Sequence, residues 1–464
     1  MQKLRILFFY IVTLLKRKRK ILAAVLVGAL VLLSGIFYLV SRPDKQTISE
    51  GIVGTFTERD LPPVVTTLLS ANLFRVDHTG SIVGDLVESY EVDTEGKVYT
   101  LKLREEKYWL DGTRIIASEI ELPVADVETE IVDDRTIKLK LKEPFSPFLV
   151  LLDKPVFKKV NGGSEYRVSA IGTGPYKVRE IKKDQIFVKK VILTSSDKNL
   201  PDLVIRFYPN EKIARSAIRL GEIQSLIGVN EYEELKQNQT LSVYSAANTK
   251  QLVTIFYNTK DAVLSDENFR LALSYASPEI EGEQIAKTSL PESSWAFNPE
   301  VKDYLNNPTQ AKASFAKVQN GKDEPITLTA TSSLEHVGQQ VVDAWNKNGI
   351  KAVLRVESGI PQNFQALLIT QNIPADPDQY SLWHSTQAQT NISKISSPRI
   401  DKDLEDGRKT SDKKLRTTRY QDFQKVLMDE SPATFLYFPK KNVIYLKKIE
   451  GELQKVLNYQ LLYI

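Results

Sequence analysis

Seven residues constrain this chain more than any others. Val98 to Arg104 alternates strictly, with Tyr99, Leu101 and Leu103 on one side and Thr100, Lys102 and Arg104 on the other. A period of two puts each set on its own face of a strand and marks a sheet with one side buried. Turn chemistry brackets the run, Asp93-Thr94-Glu95-Gly96 before it and Asp111-Gly112 after it. A second two-faced run follows over residues 136–142, where Ile137, Leu139 and Leu141 oppose Lys138, Lys140 and Lys142. With residues 127–132 and a turn at Asp133-Asp134-Arg135, it predicts another hairpin.

Further along, the pattern becomes mixed. Residues 62–73 carry apolar side chains at helical intervals, and 51–57, 176–181 and 203–207 read as strands. A helix is expected over 211–220, with Gly221 as its C-cap, and another after Asp266, which is placed to cap it. Residues 326–330, a helix over about 334–348 and residues 350–356 form a β-α-β unit, which implies a parallel strand pair. Residues 364–370 add a strand, Leu415, Phe423, Val426 and Leu427 mark a late helix, and 435–445 reads as one return strand. No repeat or low-complexity tract interrupts this order, and 464 residues are enough for two or three domains.

The amino end is different in kind. Ile21 to Val40 is twenty residues without a charge, preceded by Lys16-Arg17-Lys18-Arg19-Lys20. As a helix it would rise about 30 Å, the thickness of a hydrocarbon core. The basic flank then places the amino terminus in the cytoplasm and the larger part outside. The run is longer than the apolar centre of a cleaved signal and lacks a small-residue cleavage site, so an uncleaved anchor is expected. Residues 1–45 hold nine Lys or Arg against one Asp, so the rest, with 53 basic and 57 acidic residues, is mildly acidic. That body gives no support to nucleic-acid binding.

Several chemistries have no residues to carry them. There is no cysteine, which excludes disulfides, thiolate metal sites and a cysteine nucleophile. The three histidines, 78, 336 and 384, have no partner at metal-ligand spacing. No G-x-S-x-G elbow is present, and the Gly172-Thr173-Gly174 turn lacks the residues of a phosphate loop. Neither an enzyme, a cofactor nor a metal is expected. Paired carboxylates occur at Asp133-Asp134, which reads as a turn, and at Asp376-Pro377-Asp378, which reads equally as a turn on a solvated loop.

Three ordered segments carry a family resemblance. The first is Gly84-Asp85-Leu86-Val87-Glu88-Ser89-Tyr90, then Gly96-Lys97-x-Tyr99-Thr100-x-Lys102-Leu103-Arg104, then Tyr108-Trp109-x-Asp111-Gly112-Thr113. The second is Ile171-Gly172-Thr173-Gly174-Pro175-Tyr176. The third is Tyr257-Asn258-Thr259 followed by Asp266-x-x-Phe269-Arg270-x-Ala272-Leu273-x-Tyr275-Ala276. Together they resemble family 5 extracellular solute-binding proteins, the peptide- and nickel-type receptors of ABC importers, over about residues 50–445. The resemblance implies an α/β, bilobed fold of the periplasmic-binding-protein type, with three subdomains. The expected organisation is a basic leader over 1–20, an anchor over 21–40 and a linker over 41–50. The first lobe is expected from 51–72, 163–247 and 431–464, a small subdomain over 73–162 and the second lobe over 248–430. Helices that usually follow the position of Ile120 in this family are missing, so the small subdomain should be reduced.

The resemblance also implies the function and its residues. The expected protein is a monomer that captures a small solute, an oligopeptide first among them, and delivers it to an ABC permease. The alternative is a surface sensing or interaction protein that keeps the fold without transport. Thr370 to Trp383 resembles the family segment whose aspartate takes a peptide's terminal ammonium. Asp376 fits one alignment; in another the slot falls near Ile373, which is not acidic. Asp376, Asp378, Tyr380 and Trp383, with Tyr257 and Asn258 of the third segment, are the candidate ligand contacts. Tyr380 and Trp383 can stack on a ligand or pack in the core, whereas Trp109 and Asp111 are expected to be structural.

Overall fold

Two large sheets divide the body of the molecule, and the chain passes between them twice at one place. The structure is a computed structural model that describes residues 45–460 except 123, 125–126, 160–170 and 231, together with positions 6, 9, 10 and 13. The expected anchor over 21–40 lies outside the described residues, and among those described no helix is long and apolar enough to cross a membrane.

The first-lobe sheet runs in the order Tyr176–Asp184, Phe187–Ser195, Asp202–Tyr208, Thr47–Val53, Ser225–Val229, Lys440–Leu446, Leu241–Ala247. Its opening strand begins at Thr47, inside the stretch expected as linker, because Ile48 and Ile52 are buried in the lobe core. The second-lobe sheet runs Gln284–Ile285, Ala433–Phe438, Gln251–Tyr257, Ala366–Asn372, Ile326–Thr331, Ala352–Glu357. The β-α-β unit is as expected, with Ile326–Thr331 and Ala352–Glu357 parallel and the helix Glu335–Lys347 between them. Its Trp345 is fully buried, and the indole Nε1 donates to Leu273 O and Ser277 Oγ, both at 3.0 Å.

The small subdomain holds the four-stranded sheet Val87–Val92, Val98–Leu103, Thr136–Lys140, Glu128–Asp133. Tyr99, Leu101, Leu103, Ile137 and Leu139 form its core with Trp109 and Phe148. Each such side chain stabilises by about 1.5–3 kcal/mol when removed from water. Asp93 Oδ1 closes the preceding turn by accepting from Lys97 N at 2.7 Å and Val98 N at 3.0 Å, and Gly96 has φ +71°. Between Leu103 and Glu128 the described residues hold only a three-residue 3-10 turn and the strand Ile120–Glu121.

Two expectations change. The single return strand over 435–445 is two strands broken at Pro439, one in each sheet. Proline has no N–H to give to a ladder, so the chain leaves one sheet there and enters the other. The return to the first lobe therefore falls at Pro439 rather than at 431. The glycines of Gly172-Thr173-Gly174 are needed for close approach. A Cβ on Gly172 would lie 2.1 Å from Leu69 O, and one on Gly174 would lie 2.4 Å from Leu68 O. They let the strand entry pack against the end of the helix Pro63–Leu69, where Gly174 N donates to Leu69 O at 2.9 Å.

Candidate functional site

The two crossings between lobes run side by side. Leu241–Ala247 continues through Asn248-Thr249-Lys250 into Gln251–Tyr257, and Ala433–Phe438 continues through Pro439 into Lys440–Leu446. Asn248 N donates to Pro439 O at 2.9 Å and ties the crossings together. The Asn248 side chain turns its own segment, donating to Gln251 Oε1 at 3.0 Å and accepting from Lys250 N at 3.2 Å. Asn and a following polar pair suit this turn because the amide can replace missing backbone partners.

A cleft of about 310 Å³ opens against this hinge. Its walls come from three places: Val76–Gly80 of the small subdomain, Ala247–Lys250 at the hinge, and Leu290, Pro291, Ser293, Ser294 and Ile373–Ala375 of the second lobe. The small-subdomain wall is a hairpin between Phe74–Val76 and Ile82–Gly84. Asp77 organises it, Oδ1 accepting from Thr79 N at 2.8 Å, Thr79 Oγ1 at 2.6 Å and Ser81 N at 3.0 Å. Burial pushes that carboxyl up, but the bonds from Thr79 and Ser81 outweigh it and hold it below its usual range.

Charge collects at the floor. Burial lowers the pKa of Lys250, with Asp153 acting against the shift. Lys441, on the neighbouring crossing, is lowered by burial and then by the charge of Lys250. Asp153 is raised by burial, although Asn72 Nδ2 donates to it at 2.6 Å and Val76 N at 3.3 Å. Of these three groups Lys250 lines the cleft. Among the described residues no group of three or more His, Asp or Glu gathers to hold a metal ion.

The candidate contacts read from the sequence lie behind this surface rather than on it. Asp376 is buried and paired with Arg416 through Oδ1 and Nη2, and Oδ1 also accepts from Asp378 N at 2.9 Å. Asp378 Oδ2 accepts from Arg408 Nε at 3.0 Å and Nη2 at 2.9 Å. Burial raises the Asp378 carboxyl, with Arg408 opposing it. Burial also opposes the charge of Arg416, yet Asp376 and Tyr420 keep it above its ordinary value. Trp383 is fully buried beside Phe256 and Phe435, and its Nε1 donates to Gln379 Oε1 at 2.9 Å. Tyr380 stacks on His384 at 4.0 Å and lies 4.1 Å from the Arg408 guanidinium. His384 itself is buried, 2.8 Å from Thr386 Oγ1 and 3.2 Å from Glu405 Oε1.

Tyr257 and Asn258 are farther off. They stand at the opposite end of a strand that starts at the hinge, about 20 Å away at strand rise. Tyr257 OH meets Thr434 Oγ1 at 2.6 Å in the lobe core, and Asn258 Nδ2 donates to Phe364 O at 3.1 Å. The structure thus brings Asp376, Asp378, Tyr380 and Trp383 into one segment behind the cleft wall and leaves Tyr257 and Asn258 apart. The same segment does reach the cleft, but through Ile373, Pro374 and Ala375. Ile373, the alternative slot, lies in the wall, with its N donating to Lys250 O at 2.8 Å. Lys250 and Asn248 were missed as lining residues; their signal was the polar turn between two apolar strands.

The model described as bacterial extracellular solute-binding proteins, family 5 Middle, matches residues 81–393, well over half of the chain. The probable D,D-dipeptide-binding periplasmic protein DdpA of Escherichia coli (strain K12) is 22% identical over 426 residues, covering 80% of this chain and 82% of its own length. The crystal structure of NikZ from Campylobacter jejuni in complex with Ni(L-His) superposes with a TM-score of 0.68 at 21% identity, over 87% of this chain and 94% of that one. The oligopeptide-binding protein AppA of Bacillus subtilis, in complex with a nonapeptide, gives a TM-score of 0.63 at 19% identity, over 87% and 95%. At these identities the solved structures speak for the bilobed α/β fold.

Proposed function

Because this chain belongs to the bacterial extracellular solute-binding proteins of family 5, we propose that it captures a short peptide in the cleft at its hinge and presents it to an ABC importer. The observation that carries this reading is the cleft itself, walled by the small subdomain and the second lobe and floored by the hinge. Closure about those two crossings changes the distance between its walls and little else. A volume of about 310 Å³ is near the lower end for ligand sites, roughly 300–1,000 Å³, and favours two or three residues over a long peptide. DdpA, a relative by sequence, is named for D,D-dipeptides, and the fold also accommodates the nonapeptide of AppA.

The ligand contacts in this proposal are the lining residues. Asn248, Thr249, Ser293 and Ser294 offer hydrogen bonds to main-chain groups, and Lys250 faces a carbonyl or carboxylate at the floor. Ile373–Ala375 form an apolar wall, with Asp376, Asp378, Tyr380 and Trp383 supporting it from behind. The body is extracytoplasmic, tethered by residues 21–40. The support for the tether is the uncharged twenty-residue run behind five basic residues.

Calorimetry on residues 46–464 with a di- to pentapeptide library tests the binding. Saturable heats at micromolar to millimolar concentration are expected, strongest for the shortest members. If no peptide binds at millimolar concentration, the transport reading fails and the alternative of a fold kept for sensing takes its place. For the tether, the full chain should stay with membranes after an alkaline wash, and a chain beginning at residue 46 should not.

A further inference from the structure

Among the described residues the small subdomain touches the second lobe at several points beside the cleft. Trp295 N donates to Thr79 O at 2.9 Å, and Lys413 Nζ donates to Ser81 Oγ at 3.1 Å. Ser146 Oγ donates to Gly407 O at 3.3 Å, and the Arg408 guanidinium lies 5.1 Å from the Phe145 ring. On the second lobe these contacts converge on the helices Pro398–Lys409 and Lys413–Glu430.

Two arginines of those helices hold the contact surface in place, and each is fixed by one aspartate. Arg416 pairs with Asp376, donates from Nε to Gly407 O at 3.1 Å, and lies 5.2 Å from the Trp295 ring. It therefore steadies the carbonyl that Ser146 uses and the indole beside Thr79. Arg408 pairs with Asp378 and presents its guanidinium to Phe145. A guanidinium already held by a buried carboxylate has lost its rotamer freedom on folding, so docking another group against it costs less.

We propose that Asp376 and Asp378 are positioning residues for closure of the cleft, acting through Arg416 and Arg408 to form the latch that the small subdomain meets at Thr79, Ser81, Phe145 and Ser146. The latch sets how much of the population is closed before a ligand arrives, and through that fraction it sets the apparent affinity. This rests on the cleft as the ligand site for its purpose, but the latch is measured without any ligand.

The chain has no cysteine, so a single pair can be introduced cleanly. Val83 and Leu415 are exposed, one on each side of the mouth. Spin labels on V83C and L415C report the gap by pulsed dipolar spectroscopy. The parent should give one short-distance population. Asp376→Asn with Asp378→Asn should add a longer one, raised at least about fivefold over the parent, and Asp378→Glu alone should restore most of the short distance. Because the double variant also disturbs the second lobe, Phe145→Leu with Ser146→Ala provides an independent arm. It leaves both ion pairs intact and should lengthen the distance with no change in thermal unfolding of the second lobe. An unchanged distribution in either arm, or an open parent, overturns the latch. Failure to bind peptide would overturn only the ligand reading.

Discussion

The two lobes bury their acids in opposite ways. In the second lobe Asp376 and Asp378 each meet a guanidinium. In the first lobe Glu50 lies fully buried on the central strand with an amide for company, Gln460 Nε2 donating to its Oε2 at 3.2 Å. Among the described residues the Glu50 Oε1, Gln460 Oε1 and Ser225 Oγ atoms have no hydrogen-bond partner. Ser225 is the strand neighbour of Glu50. A compensated charge stays ionised and can hold other groups in place. An uncompensated one yields its charge instead, and burial, opposed by Gln460, raises Glu50 to about 7. The lobe that shapes the cleft mouth is thus pinned by ion pairs, and the other holds a carboxyl whose charge burial opposes.

The strongest way to break this contrast is to orphan one partner. Asp376→Ala leaves Arg416 buried without its carboxylate and should cost about 3–5 kcal/mol of second-lobe stability in urea unfolding. The double variant Asp376→Leu with Arg416→Met should recover most of that loss. Equal losses for the single and double variants would show that the pair is not what stabilises the segment.

Glu50 gives the next effect, with the opposite pH behaviour from a paired acid. Between its ordinary 4.5 and about 7, the folded chain binds more protons than the unfolded one. Its contribution is therefore greatest below 4.5, declines as pH rises through that window, and levels off above about 7. The decline amounts to about 3 kcal/mol. Glu50→Gln should remove it, so the variant gains on the parent from pH 5 to pH 8. A gain that does not grow with pH would mean that the carboxyl is ionised throughout.

The smallest effect belongs to the hinge between the lobes, where Lys250, Lys441 and Asp153 share a partly buried floor. Lys250→Met keeps the stem and removes the charge. Peptide affinity should fall about tenfold, or about 1.4 kcal/mol, with little change in unfolding. A loss of stability without a loss of affinity would make Lys250 a structural partner of Asp153 only.

Local order was readable wherever it depends on neighbours in sequence. The alternation at Val98–Leu103, the Asp93 turn, the caps Asp266 and Asn210 and the β-α-β unit all appear as the pattern predicts. The site was readable only in part. Ile373, named as the alternative slot, lies in the cleft wall, whereas residues 76–80 and the polar turn at 248–250 were not singled out. Asp376 was singled out as a ligand contact, but its partner in the structure is Arg416, forty residues away on a helix. No spacing rule links the two. Pro439 was visible, yet its effect depended on which sheet each flank joined.

By itself the sequence determined the family, the mixed α/β character and the absence of cysteine chemistry. The family rests on three ordered segments that resemble its members, and the rest on residue type and on periods of two or 3.6 that a chain expresses locally. Only the tertiary structure decided where the cleft lies, that Ile373–Ala375 face it, and that Asp376 and Asp378 look inward to arginines. Which side of a loop meets a ligand and which meets the core is fixed by elements packed from far along the chain.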